Sequence, residues 1–231
     1  MALIWEALVA AGGLILSGDA ELRRIALLSL AVSGSATLLA ALVGVPLGAA
    51  LHLRRFPGHR VAVALVNTGM GLPPVVVGLA VTIVLWRSGP LGPLRLLYTP
   101  GAMILAQLVV AAPIIAGLTR ATFGLLDEEI AAALRVDGAR ERRVAWELAR
   151  AAHAQVLVAV AAGFGRAIAE VGASLMVGGN ILGQTRILTT AITLETSKGD
   201  FALALALGFI LLLLAFLVNA ALGWGPLRAR A

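Results

Sequence analysis

The chain of 231 residues contains no cysteine, a single lysine and three histidines. The absence of cysteine excludes disulfides and thiolate metal sites, and no histidine spacing such as HExxH provides another zinc site. The lysine, Lys198, follows Ser197, whereas a phosphate-binding P-loop requires its lysine within GxxxxGK[ST]. The sequence therefore predicts no metal, no cofactor and no nucleotide site of its own.

Charged residues are also scarce, at 13% of the chain against roughly 25% in soluble globular proteins. Hydrophobic residues make up 60%, and the mean hydropathy is +0.98. These values are typical of an integral membrane protein. The net charge of +6 does not indicate nucleic acid, because 17 of the 18 basic residues are arginines and most of them flank apolar runs.

Five apolar segments reach the roughly 20 residues that are needed to cross a bilayer. They are residues 25–51, 61–86, 101–119, 152–177 and 201–222. A shorter apolar run within residues 1–20 predicts an N-terminal interfacial helix. The sequence thus predicts an all-α, polytopic membrane protein, a single domain over residues 1–231 with five core transmembrane helices.

The distribution of arginine and lysine predicts the orientation, since these residues are enriched in cytoplasmic connections. Eleven arginines lie on one side of the five predicted spans, against six arginines and lysines on the other. The richer side includes residues 120–150 and the C-terminus. We therefore expect the N-terminus outside and the C-terminus in the cytoplasm.

Residues 127–151 form the only densely charged stretch, and they lie between two predicted spans. Asp127 suits the N-cap of a helix whose first turn contains Glu128 and Glu129, and Gly138 suits the end of that helix. A second, amphipathic helix is predicted after Gly138. Its charged face contains Arg140, Arg143, Glu147 and Arg150, and its apolar face contains Val144, Ala145 and Leu148. The stretch is either a solvated loop or a docking surface for a soluble partner.

Two charges lie inside the fourth predicted span, Arg166 and Glu170, one helical turn apart. Each costs about 2.5–3.5 kcal/mol at the bilayer centre, so we expect either a mutually neutralising pair or an arginine that lines the route of an anion. In the second span Pro73 and Pro74 remove two backbone donors and predict a kink. That kink is either a buried structural feature or part of a central pathway, where broken backbone is tolerated.

Gly172, Ser174 and three threonines are further candidates for a functional role. Gly172 offers a surface for helix packing or for a pore wall. Ser174 suggests an intramembrane serine protease, but a straight helix would hold it roughly 30 Å from His153, at about 1.5 Å per residue, so no catalytic pair can form. In the expected outward loop, residues 178–200, hydroxyls suit an oxyanion, a binding protein or plain solvent. These hydroxyls are Thr189, Thr190 and Thr193.

Three segments resemble a known family: VNTGMGLPPVVVGL at 66–79, GFGRAIAEVGASLMVGGNI at 163–181 and TRILTTAITLETSKGDFALALALG at 185–208. They are similar to the permease subunit of tungstate-type ABC importers, and the likeness covers most of the chain after about residue 20. The charged insert resembles the cytoplasmic signature of ABC-importer permeases in part. With Gly138 as reference, Ala132, Ala133 and Leu134 occupy the Glu-Ala-Ala positions of that signature.

This resemblance implies an ABC-importer permease fold of the molybdate/tungstate type, in a homodimer within the cytoplasmic membrane. It implies two ABC ATPase subunits and an extracytoplasmic oxyanion-binding protein as partners, and no catalysis by this chain. ATPase coupling would fall on Glu128, Glu129, Ala132, Ala133, Leu134, Gly138 and Arg140, and the translocation pathway on Pro73, Pro74, Arg166, Glu170, Gly172 and Ser174. The alternatives are a molybdate or sulfate importer, and a secondary transporter or scaffold that is independent of ATP.

Overall fold

A computed structural model describes residues 2–125 and 128–228, and the secondary structure in these residues is helical. The helices are α1 (Ala2–Ser17), α2 (Ala20–Leu53), α3 (His59–Met70), α4 (Pro74–Leu85), α5 (Pro100–Leu125), α6 (Glu128–Val136), α7 (Glu141–Ala151), α8 (His153–Ile168), α9 (Gly172–Gly178), α10 (Leu188–Lys198) and α11 (Phe201–Arg228). A single 3-10 turn covers Gly92–Leu94. The all-α prediction is confirmed.

Within the described part of the chain, α2, α5 and α11 are long and apolar enough to cross a membrane alone. Two bent pairs qualify only as combined spans: α3 with α4, bent by 106°, and α7 with α8, bent by 83°. The prediction of one continuous helix over residues 152–177 is wrong. Helix α8 ends at Ile168, and α9 begins only at Gly172.

Helices α2 and α5 form the central pair. The Asp19 carboxylate accepts a hydrogen bond of 2.7 Å from the Leu22 amide and starts α2, which continues for 34 residues. Gly44 and Gly48 lie one turn apart on α2, and a Cβ at Gly44 would lie 2.9 Å from the Ala112 carbonyl oxygen of α5. A Cβ at Gly48 would overlap the Ala116 carbonyl oxygen one turn further along α5. Small residues at this spacing allow two membrane helices to approach backbone to backbone.

One end of the molecule brings together α1, α10 and the N-terminal parts of α2 and α11. Helix α1 packs along α11, with Ala7 and Ala11 buried. A core cluster at this end combines α1, α2, α10 and α11 through Ala11, Leu22, Ile25, Leu188, Ala191, Ala206, Leu207 and Ile210. The interfacial position of α1 in a membrane stays a prediction.

Helix α9 is held in the middle of the fold, against α4 and α5. A Cβ at Gly78 of α4 would lie 2.7 Å from the Ala173 Cα of α9, so the two backbones touch. On the α5 side, a Cβ at Gly178 would lie 2.8 Å from the Met103 sulfur. The short helix α9 therefore has a fixed position between the bent second span and α5.

Candidate functional site

The charged insert consists of α6 and α7, joined at Gly138. This glycine has φ +76°, in the left-handed region. The Gly138 amide donates to the Arg135 carbonyl at 3.0 Å, and the Ala139 amide donates to the Leu134 carbonyl at 2.9 Å. These two bonds form a Schellman motif, in which glycine avoids the steric cost of the left-handed backbone. The predicted helix end at Gly138 is confirmed, whereas Asp127, the predicted cap, lies outside the described residues.

The insert is attached to the membrane helices through the apolar face of α7. Val144 and Leu148 are buried, as the amphipathic pattern predicts, and they form a core cluster with Phe123 of α5 and Ala49 of α2. Leu134 of α6 packs against the same cluster and is partly buried. The insert is therefore an extension of the cores of α2 and α5, and a solvated loop is the wrong interpretation.

Outside its buried contacts with α2 and α5, the insert exposes several apolar residues. Ala132 and Ala133 of α6 are exposed. Val136 is 87% exposed and Trp146 is 64% exposed, although the insert is the most polar part of the chain. An exposed large apolar residue in a polar segment is a candidate contact for a partner, and that role stays a prediction for the insert. Glu128 and Glu129 form the first turn of α6, and Arg140 lies exposed directly before α7.

The predicted kink at Pro73 and Pro74 is a sharp turn between two half-helices. Pro74 occupies the first position of α4, where a missing backbone N–H costs nothing. The Pro73 carbonyl accepts from the amides of Val76 and Val77, at 3.0 and 3.2 Å. Pro73 is exposed and Pro74 half-buried in the single chain. The Pro73 carbonyl at the turn therefore has hydrogen-bond partners. For both prolines, a position beside the translocation pathway stays a prediction.

Arg166 and Glu170 form an ion pair of 2.8 Å, as the neutralising alternative predicts. Glu170 is only 1% exposed, and Arg166 is 32% exposed. The second carboxylate oxygen of Glu170 accepts a 2.9 Å hydrogen bond from the Ala173 amide in the first turn of α9. The two residues do not lie on one continuous helix, because Glu170 follows the end of α8. The carboxylate therefore joins the end of α8 to the start of α9.

Helix α9 also carries Gly172 and Ser174. A Cβ at Gly172 would lie 2.8 Å from Cγ2 of Val75, so the glycine permits close contact with α4. Ser174 is fully buried, and its hydroxyl accepts a 3.1 Å hydrogen bond from the side-chain amide nitrogen (Nε2) of Gln107 in α5. Gln107 is also fully buried, and its side-chain carbonyl oxygen has no hydrogen-bond partner among the described residues.

The sequence predicts an outward loop over residues 178–200. Residues 188–198 of this segment form the helix α10 instead. Thr189 and Thr190 are buried, so they are not displayed to solvent or to a binding protein. Thr189 donates a 2.9 Å hydrogen bond to the Glu170 carbonyl, and Thr190 accepts from the Ile187 amide at 3.1 Å. Thr193 is exposed and donates to the Thr189 carbonyl at 3.0 Å. Thr189 therefore joins α10 to the break between α8 and α9.

We expect Thr189→Val to destabilise the protein by about 1–3 kcal/mol, because the buried Glu170 carbonyl then loses its partner. For a chain of this length, this corresponds to a fall of roughly 2–4 °C in melting temperature per kcal/mol. Thr193→Val is the matched control, since it removes a hydroxyl that bonds only within α10. Equal melting temperatures of the two variants would refute the role assigned to Thr189.

These features define the class of the protein. Apolar helices, straight or broken, provide the membrane spans, and an amphipathic two-helix insert extends from the ends of α2 and α5. Interrupted helices at membrane depth, with buried polar groups beside the break, are typical of transporters. The chain is a multi-pass, α-helical membrane protein.

Residues 42–228 match the family of inner membrane components of binding-protein-dependent transport systems. The chain belongs to this family: it is an inner-membrane permease without catalytic activity of its own. It is 41% identical to the tungstate uptake system permease protein TupB of Peptoclostridium acidaminophilum, over 95% of this chain and 96% of the relative. It is 43% identical to a probable anion ABC transporter permease protein of Haloferax volcanii, over 83% and 85% of the two chains.

A solved structure supports the same fold. A chain of the MetNI methionine ABC transporter, in an inward-facing crystal form, matches with a TM-score of 0.73. The match covers 91% of this chain and 96% of the other, at 22% sequence identity. The expected ABC-importer permease fold and the resemblance drawn from the three sequence segments are confirmed.

Proposed function

We propose that the chain is the permease of an ATP-driven ABC importer that carries an oxyanion, with tungstate as the substrate, across the cytoplasmic membrane. The observation that carries the substrate assignment is the 41% identity to a tungstate uptake permease over 95% of this chain. The probable anion permease of Haloferax volcanii supports the wider substrate class.

ATP coupling is assigned to the insert. In this proposal the exposed side of α6, with Ala132, Ala133 and Val136, contacts an ABC ATPase subunit. Trp146 of α7 is also exposed and would make a second apolar contact with the ATPase. Four further residues of the insert would hold α6 in position or line its contact with the ATPase, namely Glu128, Glu129, Gly138 and Arg140.

The buried contacts of the insert give a route for movement into the membrane helices. Leu148 and Val144 pack on Phe123 near the end of α5. The same α5 carries Gln107, which is bonded to Ser174 of α9. Displacement of the insert would therefore change the position of α5, and with it α9 and the Arg166–Glu170 pair. The helices α4 and α9 would move in this step, and Pro73, Pro74 and Gly172 lie at their N-terminal ends.

The proposed assembly is a homodimer with two ATPase subunits on the cytoplasmic side and an oxyanion-binding protein on the outer side. In this arrangement the N-terminus is outside and α1 is interfacial. The insert, attached to the ends of α2 and α5, faces the cytoplasm. The family description itself supports dependence on a binding protein.

We expect Val136→Asp to weaken the association of the chain with its ATPase by at least tenfold, or about 1.4 kcal/mol. The reason is that the 87% exposed valine would be desolvated at the contact, where an unpaired carboxylate is costly. Folding should be unaffected, since the side chain is exposed. Co-purification in detergent, quantified against the ATPase concentration, measures the change. Ser197→Asp is the control, because it adds the same charge at an exposed position of α10. Undiminished association of Val136→Asp would refute the docking assignment.

The full function is tested by reconstitution of the chain in vesicles with its partner ATPase and oxyanion-binding protein. Uptake of labelled tungstate should require ATP and should stop when the P-loop lysine of the ATPase is substituted. Excess molybdate and sulfate, added separately, test the substrate. Stronger competition by either anion than by unlabelled tungstate would reassign the substrate, and uptake without ATP would indicate a secondary transporter.

A further inference from the structure

A second charged region lies far from the insert, at the start of α2. A cavity of about 470 Å³ lies between the first turns of α2 and the connection from α9 to α10. Its lining includes Glu21, Arg24, Ile25, Leu28, Gly183 and Arg186. At about 30 Å³ per water, this volume accommodates a small oxyanion together with several waters.

Two guanidinium groups and one carboxylate line this cavity within the described part of the chain. Arg186 is 18% exposed and lies 3.6 Å from a carboxylate oxygen of Glu21. This separation is longer than the 2.7–2.9 Å of a charge-assisted hydrogen bond. The Arg186 Nε also donates to the Asn180 side-chain oxygen at 3.3 Å. Since a guanidinium has five N–H donors, Arg186 retains donors for a ligand beyond these two contacts.

Arg24 contributes the second positive charge. Its guanidinium lies beside Gly183, where a Cβ would be only 3.2 Å from an Arg24 nitrogen. Gly183 has φ +74°, so both its backbone and the nearby arginine favour glycine. No described carboxylate forms an ion pair with Arg24. The cavity therefore has excess positive charge.

The connection that holds Arg186 is fixed by internal hydrogen bonds. Thr185 is buried, donates to the Gly178 carbonyl at 2.6 Å and accepts from the Ile181 amide at 2.9 Å. Asn180, in a left-handed conformation at φ +51°, donates to the Thr190 carbonyl at 3.3 Å. Binding groups that are fixed in advance avoid an ordering cost when a ligand arrives. The arrangement is thus a formed site, with Arg186 held in place before any ligand binds.

The cavity lies at the opposite end of α2 from the insert. Arg24 is near the N-terminus of this helix, while the insert packs on Ala49 and Leu53 near its C-terminus. With the insert in the cytoplasm, as in the proposed function, the cavity opens to the outer side. There it would meet an anion that a binding protein has released.

We propose that this cavity is an outer binding site for the free oxyanion in transit, held by Arg24 and Arg186. The inference rests on the proposed function. The chemistry, a tetrahedral oxyanion against two guanidinium groups, also suits the phosphate of an anionic lipid. Two features favour the free anion: Glu21 limits the excess charge, and the long Arg186–Glu21 contact is easily opened. A site on a transport route must bind weakly enough to release its ion.

The first experiment measures binding of tungstate to the purified chain in a neutral detergent, by equilibrium dialysis with elemental analysis. Arg24→Gln and Arg186→Gln should each lower the affinity at least tenfold, and Arg23→Gln should stay within twofold of wild type. Arg23 is a matched control, since it is exposed on the same turn of α2 but does not line the cavity. Arg24→Gln removes an exposed side chain, so loss of folding does not confuse the result. Unchanged affinity in Arg24→Gln, or no saturable binding by wild type, overturns the proposal.

A second arm separates the two sources of oxyanion. Short-chain phosphatidylglycerol is titrated against the same variants, and tungstate is then added in competition. Tungstate binding that depends on Arg24 and Arg186 supports the transit site. Binding of the lipid alone, with the same arginine dependence, overturns it and assigns the cavity to a lipid headgroup.

Uptake by the complete transporter distinguishes failure of this inference from failure of the proposed function. Wild type should accumulate tungstate with ATP, Arg23→Gln should match it, and Arg24→Gln should reduce the initial rate at least fivefold. Wild-type uptake with an unaffected Arg24→Gln variant refutes the outer site alone. Absence of tungstate uptake by the wild-type complex refutes the proposed function.

Discussion

Glu170→Ala should destabilise the protein by about 3 kcal/mol or more, the largest effect that we expect from a single substitution in the membrane region. The buried carboxylate neutralises Arg166 and accepts the Ala173 amide at the start of α9. Removal of one partner of a buried pair costs about 3–5 kcal/mol, and we place this pair near the lower value because Arg166 is 32% exposed. Loss of the cap adds about 1 kcal/mol. The melting temperature in detergent measures the sum.

Two further variants separate charge from capping. Glu170→Gln retains an acceptor for the Ala173 amide but leaves Arg166 without its counter-charge, so its stability should lie between wild type and Glu170→Ala. The double variant Arg166→Met/Glu170→Gln should recover to within about 1 kcal/mol of wild type, since neither side chain then carries an unpaired charge. A double variant as unstable as Glu170→Ala would show that the ion pair is not the cause. If the double variant is stable but uptake is lost, the arginine has a role in transport as well.

Gly48→Leu should prevent correct packing of α2 on α5. A side chain at this position overlaps the Ala116 carbonyl oxygen and the Thr119 Cβ, and backbone atoms cannot change rotamer to make room. Overpacking typically costs about 1–3 kcal/mol, and separation of two closely packed helices adds the loss of their contacts. We expect a strong reduction in the monodisperse fraction after detergent extraction, together with a melting temperature lowered by roughly 5–10 °C.

The same helix contains a matched control for Gly48. Gly34 has open space where its Cβ would be, with no heavy atom within 4 Å. Gly34→Leu should therefore leave the extracted protein monodisperse, with a small gain from the better helix propensity of leucine. If both leucine variants behave alike, helix propensity or membrane insertion determines the outcome, and the proposed close contact with Ala116 is wrong.

Some features of the site follow from the sequence because their physical cause is local. Arg166 and Glu170 lie in an apolar run, where an unpaired charge is too costly, so their pairing is predictable. Gly138 follows a short amphipathic segment and has no Cβ, so it adopts the left-handed backbone of a Schellman motif without steric cost. Pro73 and Pro74 require an interruption of the helix, although the angle of 106° does not follow from them.

Helix α10 is different, because its composition is typical of a loop. Threonine and serine have modest helix propensities, and their hydroxyls compete for backbone groups. In the folded chain these hydroxyls bond to carbonyls four residues earlier, including Thr193 to Thr189 and Ser197 to Thr193. The N-terminus of the helix is completed from a distant part of the chain, since the Leu188 amide donates to the Ser29 hydroxyl. A local sequence pattern does not predict such a tertiary contact.

The break in the fourth span and the role of Gln107 are missed for related reasons. Residues 169–171 contain neither proline nor glycine, so no local signal interrupts the helix before Gly172. The break is stabilised instead by the Glu170 side chain and by Thr189 from α10. Gln107 has one recognisable sequence signal, since it is the only residue with a side-chain amide in the apolar segment 101–119. Its partner Ser174 lies 67 residues away, beyond any spacing argument.

The extent of the α2–α5 contact along α2 has a mechanical consequence. Side chains of α2 and α5 share three core clusters along their length, which contain Val32, Ala40 and Ala49 of α2. Because the two helices are joined at three levels, a displacement of the insert at the C-terminal end of α2 would move α2 and α5 together. Such a joint movement would shift Arg24, at the other end of α2, relative to Arg186 and so change the width of the arginine-lined cavity.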